Sequence, residues 1–427
     1  MARFHLLAGL DDRHPRSYRR NQAAASVAVI AGLFPGFAVN AAGRPPTIPL
    51  CPGLQIVTAI SQANGDYESI KTVESVNDTS VLIKYSSEQL VTDFLAADFG
   101  KVRKIKLRRS VSRADLRAAT LYQQRFLTDM PTSVPETTAI GTSTAVLRAL
   151  KSQGRSEFAI SSAYSGEFPA DRAQSPNLYD FMSPGELTRI SEKSPTLSVL
   201  INDQLVAVPV VRATGEFAAE AAEFVFLDDE SNPLTLKFRV GIDAEPPMNK
   251  EMIELCETMQ SAAPEMSKAL CGRTSGGDRE TLTVVKISHR CALAATPSQP
   301  PPSEPSQLEV ELTQTGQATI YDIHFSFNSD LIRPESASRL AEIAAVLRKH
   351  PEWVIAVNGH TDAVGGASYN LELSKRRAAA VKTALVKQHG IPASHLVTEG
   401  LGASQPRDTN ETLLGRARNR RVELIRQ

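Results

Sequence analysis

The chain has 427 residues, a length that corresponds to two or three domains of ordinary size. Its 47 basic and 47 acidic side chains cancel, so it lacks the basic excess of nucleic-acid-binding proteins and we expect no nucleic-acid partner. Apolar residues make up 42% and charged residues 22% of the chain, which are values of a globular protein and exclude a disordered or fibrous one.

The first 42 residues have the pattern of a secretory signal peptide. Five arginines lie within residues 1–22, and an apolar run over 23–39 ends in the small-residue pattern Val39-x-Ala41. This run is at the short limit for a membrane-spanning helix, and Pro35-Gly36 would interrupt a helix there. We therefore predict a cleaved signal peptide at 1–42 and export to the periplasm, with an uncleaved membrane anchor as the alternative.

Residues 43–291 are predicted to form a mainly-β or α+β region of one or two subdomains. Alternating apolar and polar residues predict three hairpins, with turns at 77–79, 202–204 and 228–233. Further strands are expected at 101–111 and 282–287, and helices at 112–127, 143–152 and 248–270.

This N-terminal region carries no recognisable catalytic motif. Between His14 and His289 the chain has no histidine, which excludes a histidine-dependent catalytic triad and a histidine-ligated metal from its middle. We predict that the chain is not an enzyme and has no catalytic residues, metal site or cofactor. The alternative is an envelope enzyme whose catalytic domain, at 43–291, works with carboxylates alone.

Four cysteines, at positions 51, 256, 271 and 291, would enter an oxidising compartment after export. They are too few for a disulfide-rich scaffold, and no C-x-x-C pair suggests zinc. We predict a disulfide between Cys256 and Cys271 within a helical hairpin. The alternative is Cys271–Cys291, which would join the predicted helix to the strand before the linker.

Proline dominates residues 296–306, where five of eleven residues are proline. This composition is typical of an extended spacer without core-forming residues, so we place a linker at 292–307 and a separate domain at 308–427. A polyproline-like spacer of this length reaches roughly 30 Å. We therefore expect the two parts of the chain to fold independently and to lie up to that distance apart.

In the last 110 residues, predicted strands and helices alternate. The strands are expected at 319–327, 353–357, 396–400 and 421–425, and the helices at 335–349, 370–388 and 412–418. Long helices between strands are crossover connections, which place the helices on one face of a sheet.

The predicted helix at 370–388 singles out Arg377. On a helical wheel of about 100° per residue, Arg377 falls inside the apolar arc, whereas Arg376 falls among the lysines of the opposite face. A guanidinium that points inward is costly unless it is paired. Asp362, just past the end of a predicted strand, is its candidate partner.

Thr361-Asp362, Leu373-Ser374 and Arg377-Ala378 follow one another at fixed spacing, and Val381 and Leu385 complete the pattern. Further matching segments are Phe325 to Ser329, Arg333-Pro334-Glu335, Asn358-Gly359-His360 and Gly415 to Val422. In these motifs the segment 318–427 resembles the OmpA-like C-terminal domain shared by outer-membrane protein A, the peptidoglycan-associated lipoprotein and the flagellar stator protein. Residues 43–291 are not covered by the resemblance.

The resemblance implies an α+β fold in which a β-α-β-α-β unit has its helices on one face of a mixed sheet. It also implies a ligand, the diaminopimelate end of the peptidoglycan stem peptide. Asp362 would bind its ammonium group and Arg377 its carboxylate, as a two-pronged hydrogen-bonded pair. Further contacts are expected from residues at matching family positions, which are Thr361, Asn370, Arg420 and Asn328. At the last of these, the family often has aspartate.

The sequence thus predicts an envelope protein, located in the periplasm and associated with the cell wall and the outer membrane. It would bind peptidoglycan non-covalently through 308–427 and present 43–291 to an outer-membrane or periplasmic protein. A stator-like channel component would need an ionisable residue in a spanning helix, and residues 23–39 contain none. A purely structural Asp362–Arg377 salt bridge remains as the alternative to a ligand site.

Overall fold

The computed structural model describes residues 47–62, 66–91, 98, 100–124, 126, 128–161, 182–217, 220–242, 254, 258–259, 280–289, 291 and 305–427. The predicted signal peptide at 1–42, nearly all of the predicted helix at 248–270, and residues 292–304 of the predicted linker lie outside these residues. Among the residues described, no helix combines the length and the apolar character needed to cross a membrane.

The part of the chain before the linker, here called the N-terminal region, consists mainly of strands. Those described are β1 Gln55–Gln62, β2 Tyr67–Val76, β3 Ser80–Leu90, β4 Val102–Ser112, β5 Leu121–Tyr122, β6 Thr132–Ser133, β7 Thr137–Thr138, β8 Arg155–Ser161, β9 Met182–Arg189, β10 Thr196–Ile201, β11 Gln204–Phe217, β12 Glu220–Leu227, β13 Thr235–Val240 and β14 Glu280–Ser288. Two helices accompany them, α1 Arg113–Ala118 and α2 Thr144–Gln153.

These strands form one sheet in the order β6-β4-β3-β2-β1-β14-β13-β12-β11-β9-β8-β5-β7. Strand β10 pairs with β11 and also with β14, so β10 to β14 form a closed ring of five hydrogen-bonded strands. The three predicted hairpins are formed, as β2–β3, β10–β11 and β12–β13. At the β10–β11 turn, Asn202 and Asp203 both have positive φ, 48° and 69°, which a two-residue hairpin turn requires.

The first predicted helix of the N-terminal region is shorter than expected. Ser112 caps α1 as predicted, accepting a hydrogen bond from the Asp115 amide, but the helix ends at Ala118 instead of reaching 127. The following Leu121 and Tyr122 pair with β8, and Tyr122 is buried against Phe158. Burial of an aromatic side chain in the sheet's core therefore outweighs local helix propensity here.

The part of the chain after the linker, here called the C-terminal domain, alternates helices and strands. The helices are α3 Gln307–Thr315, α4 Ala337–Lys349, α5 Ala367–His389 and α6 Leu413–Asn419, with single 3₁₀ turns at Pro334–Ser336 and Ala393–His395. The strands are β15 Gln317–Ile320, β16 Ile355–His360, β17 Leu396–Gly402 and β18 Val422–Arg426.

The four strands of the C-terminal domain form a mixed sheet in the order β15-β18-β16-β17. Strands β16 and β17 are parallel, and the other two pairs are antiparallel. Alternate residues of the strands, such as Ile355 and Val357, are buried in one cluster with apolar residues of α3, α4 and α5. Because alternate residues share a face, these three helices pack on one face of the sheet.

Two features of the C-terminal domain differ from expectation. Helix α3 was not predicted, although Ser306 and Glu309 form a recognisable start signal in which the Ser306 hydroxyl accepts from the Glu309 amide. The first strand, predicted at 319–327, ends at Ile320. The next amide, that of Tyr321, donates to Asp203 of the N-terminal region at 2.7 Å instead of continuing the ladder.

The N-terminal region and the C-terminal domain are in direct contact, which lies within the upper limit of about 30 Å that the spacer sets. Strands β1, β2 and β14 bury Val57, Ile70 and Val285 against Leu413 and Ala417 of α6. The spacer's composition limits how far apart its ends can lie but does not keep them apart, and apolar burial determines where the two parts meet.

The described disulfide joins Cys51 to Cys291, with Cα atoms 5.8 Å apart. It connects the segment before β1 to the segment after β14, two strands that are paired along their whole length. The alternative Cys271–Cys291 pairing is therefore wrong, because Cys291 is already bonded. The predicted Cys256–Cys271 disulfide lies outside the described residues and stays a prediction.

Candidate functional site

The six predicted site residues lie in four segments of the C-terminal domain that meet at one end of its sheet. Thr361 and Asp362 directly follow β16, and Arg420 lies between α6 and β18. Asn370 and Arg377 are on α5, and Asn328 is in the loop after β15. Helix α5 approaches β16 closely because Gly359 has no side chain, and a Cβ atom there would collide with the Ser374 carbonyl.

Asp362 is held in place by its neighbours. Its Oδ1 accepts a hydrogen bond from the Val364 amide at 3.1 Å, and its Oδ2 forms an ion pair with Arg420. The Asn370 side-chain amide donates to the carbonyls of Asp362 and Val364, at 3.2 and 3.1 Å. Asn370 is thus a buried support of the loop that carries Asp362.

Thr361 is also buried, at 4% exposure, and its amide donates to the Gly402 carbonyl of β17 at 2.9 Å. Its hydroxyl oxygen has no hydrogen-bond partner among the residues described. A buried hydroxyl without a partner is costly, so this group is available to a ligand or a water molecule at the site.

Arg377 is half-buried, whereas the neighbouring Arg376 is exposed, as the helical wheel predicts. Its Nε donates to the Ser329 carbonyl at 3.0 Å, and its guanidinium carbon lies 4.9 Å from the centre of the Phe325 ring. Burial, together with the positive charge of Arg420, lowers the pKa of Arg377 to about 10. The side chain is therefore fixed in direction and still positively charged at neutral pH.

The direct ion pair between Asp362 and Arg377 that the sequence suggested is not formed. Asp362 pairs with Arg420 instead, and among the residues described no carboxylate lies within 4 Å of Arg377. The reason is competition, because Arg420 pairs with the same carboxylate. Arg377 consequently remains a half-buried cation without an ion-pair partner among the residues described, although the Asp362 charge still acts on it.

Arg420 binds two carboxylates at once, Asp362 of its own domain and Glu68 of β2 in the N-terminal region. Burial alone would lower the pKa of this guanidinium, but the two carboxylates raise it above its ordinary value. Glu68 could not be identified from the sequence, since strand alternation shows which face a residue takes but not what covers that face.

A cavity of about 70 Å³ is lined by Arg377, Arg420 and Glu68, while Asp362 is not part of its lining. Its lining includes five cationic side chains and one carboxylate, and these are Lys286, Arg333, Arg377, Arg420, Arg421 and Glu68. Arg333 is 3.5 Å from Glu335, and Arg421 is 2.8 Å from Glu423, so each of these two has its own carboxylate. The remaining positive charge makes the cavity suited to an anionic group.

The loop that carries Asn328 forms one side of the site. Asn328 has a positive φ of 55°, and its side-chain oxygen accepts from the Tyr369 hydroxyl of α5 at 2.6 Å. This bond holds the loop against the helix, so that the Ser329 carbonyl meets Arg377. Phe327, Leu331, Val364 and Tyr369 are all exposed apolar side chains around the site.

His360 lies at the end of β16 and is buried, with its Nε2 3.4 Å from Glu423. In the part of the chain that the structure describes, no group of three histidine, cysteine, aspartate or glutamate residues could hold a metal ion.

Comparisons with known proteins identify this part of the chain. Residues 324–420, which contain all six predicted site residues, match the model of the OmpA family. Outer membrane protein A of Bordetella avium is 44% identical over 104 residues, or 24% of this chain and 53% of that protein. The outer-membrane lipoprotein YfiB of Pseudomonas aeruginosa is 40% identical over 101 residues, or 24% of this chain and 60% of that protein.

The chain thus spans a little more than half of each of these two relatives. Among solved structures, the peptidoglycan-associated lipoprotein from Burkholderia pseudomallei is 31% identical with a TM-score of 0.24, over 26% of this chain and 89% of that one. Residues 324–420 are therefore an OmpA-family domain, and the family match does not extend to the N-terminal region.

Proposed function

We propose that the protein is a non-enzymatic component of the bacterial envelope that binds peptidoglycan non-covalently through its C-terminal domain. The ligand would be the free amino-acid end of diaminopimelate in the stem peptide. The relatives are named as outer-membrane proteins and lipoproteins, which supports a location in the periplasm next to the cell wall and outer membrane.

The observation that carries this proposal is the state of Arg377. A half-buried guanidinium with a fixed Nε contact and no carboxylate partner among the described residues leaves its two terminal nitrogens for an anion from outside. In a purely structural salt bridge, this guanidinium would instead be paired with a carboxylate of the protein itself. The lining of the adjacent cavity is also rich in cations, which lowers the cost of bringing a second carboxylate into the site.

A free amino-acid end carries one carboxylate and one ammonium group, and the site offers a partner for each. Arg377 would bind the carboxylate as a fork, and the carboxylate oxygens of Asp362 would accept from the ammonium. Asn370 would keep the Asp362 loop in position, and Arg420 would orient the Asp362 side chain. A lysine-type stem peptide lacks the carboxylate at this end, so it would leave Arg377 without a partner.

The N-terminal region would then be the part presented to other envelope components, and its partner would be an outer-membrane or periplasmic protein. Its sheet is anchored to the wall-binding domain by direct packing, so it would be held at a fixed position relative to the peptidoglycan.

The test is co-sedimentation of purified full-length protein with purified diaminopimelate-type sacculi. Asp362→Ala and Arg377→Ala should each reduce binding by roughly thirty-fold to several thousand-fold, because one partner of a desolvated charge pair is removed. Arg376→Ala is the matched control, since it removes an exposed guanidinium one residue away and should bind like the wild type.

Circular dichroism must show that each variant is folded. If Arg377→Ala is folded and still sediments with sacculi as the wild type does, the assigned site is wrong. Loss of binding in Arg376→Ala to the same extent would show that binding depends only on overall positive charge.

A further inference from the structure

The candidate site is not formed by the C-terminal domain alone. Three residues of the N-terminal region line the same cavity as Arg377 and Arg420, namely Glu68 and Ile70 of β2 and Lys286 of β14. None of them lies within the residues that match the OmpA family. The N-terminal region therefore covers one side of the place where a wall ligand would enter.

Of these three residues, Glu68 is the one that forms an ion pair with a predicted site residue. Its carboxylate forms an ion pair with Arg420, the same guanidinium that binds Asp362. Burial would raise the pKa of Glu68, but the charges of Arg420 and Lys286 lower it to about 2. The group is thus an anion at every physiological pH.

The position of Glu68 is enforced by the sheet. Residues 67–72 of β2 pair with β1, where Glu68 stands opposite Ala59, and β1 is in turn paired with β14. Two residues further on, Ile70 is 1% exposed and packs with Leu413 and Ala417 of α6, the helix that ends just before Arg420. The backbone of Glu68 is consequently fixed beside the site, by pairing with β1 and by the packing of the same strand on α6.

A second carboxylate of the N-terminal region contacts the loop that carries Asn328. Glu88, on β3, accepts hydrogen bonds from the Ser326 hydroxyl at 3.0 Å and from the Phe327 amide at 2.7 Å. These residues begin the loop whose Ser329 carbonyl binds Arg377. The N-terminal region therefore contacts both Arg420 and the loop beside Arg377.

A wall-peptide carboxylate that binds Arg377 would enter the cavity that Glu68 lines beside Arg420. Glu68 would repel this carboxylate and would keep Arg420 from attracting it, in a half-buried site where electrostatic interactions are stronger than in water. We propose that Glu68 is an internal carboxylate ligand of the candidate site, which keeps the site closed until a wall peptide displaces it. This inference rests on the proposed function and specifies how the site is regulated.

The experiment compares full-length Glu68→Gln with Asp66→Asn in quantitative binding to diaminopimelate-type sacculi. Asp66, two residues earlier, contacts Arg416 at 2.7 Å across the same boundary between the two parts of the chain. Both substitutions remove one negative charge from the N-terminal region and one ion pair across this boundary. Only Glu68→Gln frees a guanidinium of the site, while leaving the Arg420–Asp362 pair in place.

Glu68→Gln should bind sacculi about 10- to 100-fold more tightly than the wild type, the equivalent of one hydrogen bond between charged groups. Asp66→Asn should bind like the wild type. Equal affinity of Glu68→Gln and wild type would overturn the inference, and so would weaker binding, which would make Glu68 part of the ligand site. Glu68→Ala, with folding checked by circular dichroism, should repeat the gain.

The outcomes also separate this inference from the proposed function. If the wild type binds and Arg377→Ala does not, but Glu68→Gln gains nothing, the wall site stands and only the role of Glu68 fails. If no variant binds sacculi, including Glu68→Gln, the proposed function itself fails.

Discussion

Replacing Glu335 by alanine should weaken the contact between the N-terminal region and the C-terminal domain. The Glu335 carboxylate, 3% exposed, accepts from the Ser86 hydroxyl at 2.8 Å and lies 3.3 Å from Lys84 and 3.5 Å from Arg333. Burial would raise its pKa, but these neighbours lower it to about 2. The variant would leave the buried Arg333 without a carboxylate, which typically costs about 3–5 kcal/mol.

The measurement is urea unfolding of the full chain, with Glu352→Ala as the control. Glu352 is 64% exposed and lies 3.4 Å from His350, so its removal should cost about 0.5 kcal/mol or less. To assign the loss to the contact between the two parts, Ser86→Ala is combined with Glu335→Ala in a double-mutant cycle. We expect a coupling energy of about 1–2 kcal/mol. Strictly additive effects would refute the role of this cluster in joining the two parts.

Two further predictions concern the disulfide and acid stability. Because Cys51 and Cys291 are 240 positions apart, replacing both by serine should destabilise the fold by about 5 kcal/mol in the chain-entropy model. Peptide mapping without reduction should recover this pair, and free thiols at both positions would contradict it. Burial, with Lys286 and Arg333 nearby, lowers the pKa of His324 to about 3, so the unfolded chain binds a proton below pH 6.5 that the folded chain does not. The free energy of unfolding should keep its full value above pH 6.5 and should fall by about 1.4 kcal/mol per pH unit between pH 6.5 and pH 4.5. His324→Gln should reduce this slope.

Local structure was predictable wherever the signal lies in neighbouring residues. The hairpin at 202–204 follows from two residues that tolerate positive φ, and the helix start at Ser112 follows from a hydroxyl group before a helical segment. The inward direction of Arg377 follows from its place on the wheel of α5. In each case a period or a spacing within one element is sufficient.

Contacts between distant segments were not predictable in this way. The Glu68–Arg420 pair joins residues 352 positions apart, and the Cys51–Cys291 pair joins residues 240 positions apart. That Glu68 reaches Arg420 depends on how the N-terminal sheet packs on α6, which is set by apolar surface that strand alternation does not specify. The direct Asp362–Arg377 ion pair does not form because Arg420 pairs with Asp362 instead.

The central claim is that the protein recognises a free amino-acid end. Isothermal titration calorimetry of the full chain with purified stem peptides measures the affinity of this recognition directly. A diaminopimelate-containing stem peptide should bind saturably to one site per chain. The same peptide with lysine at that position, which lacks the carboxylate for Arg377, should bind at least tenfold more weakly. Equal affinity for the two peptides, or no binding of the diaminopimelate peptide by the wild type and by Glu68→Gln, would contradict the account.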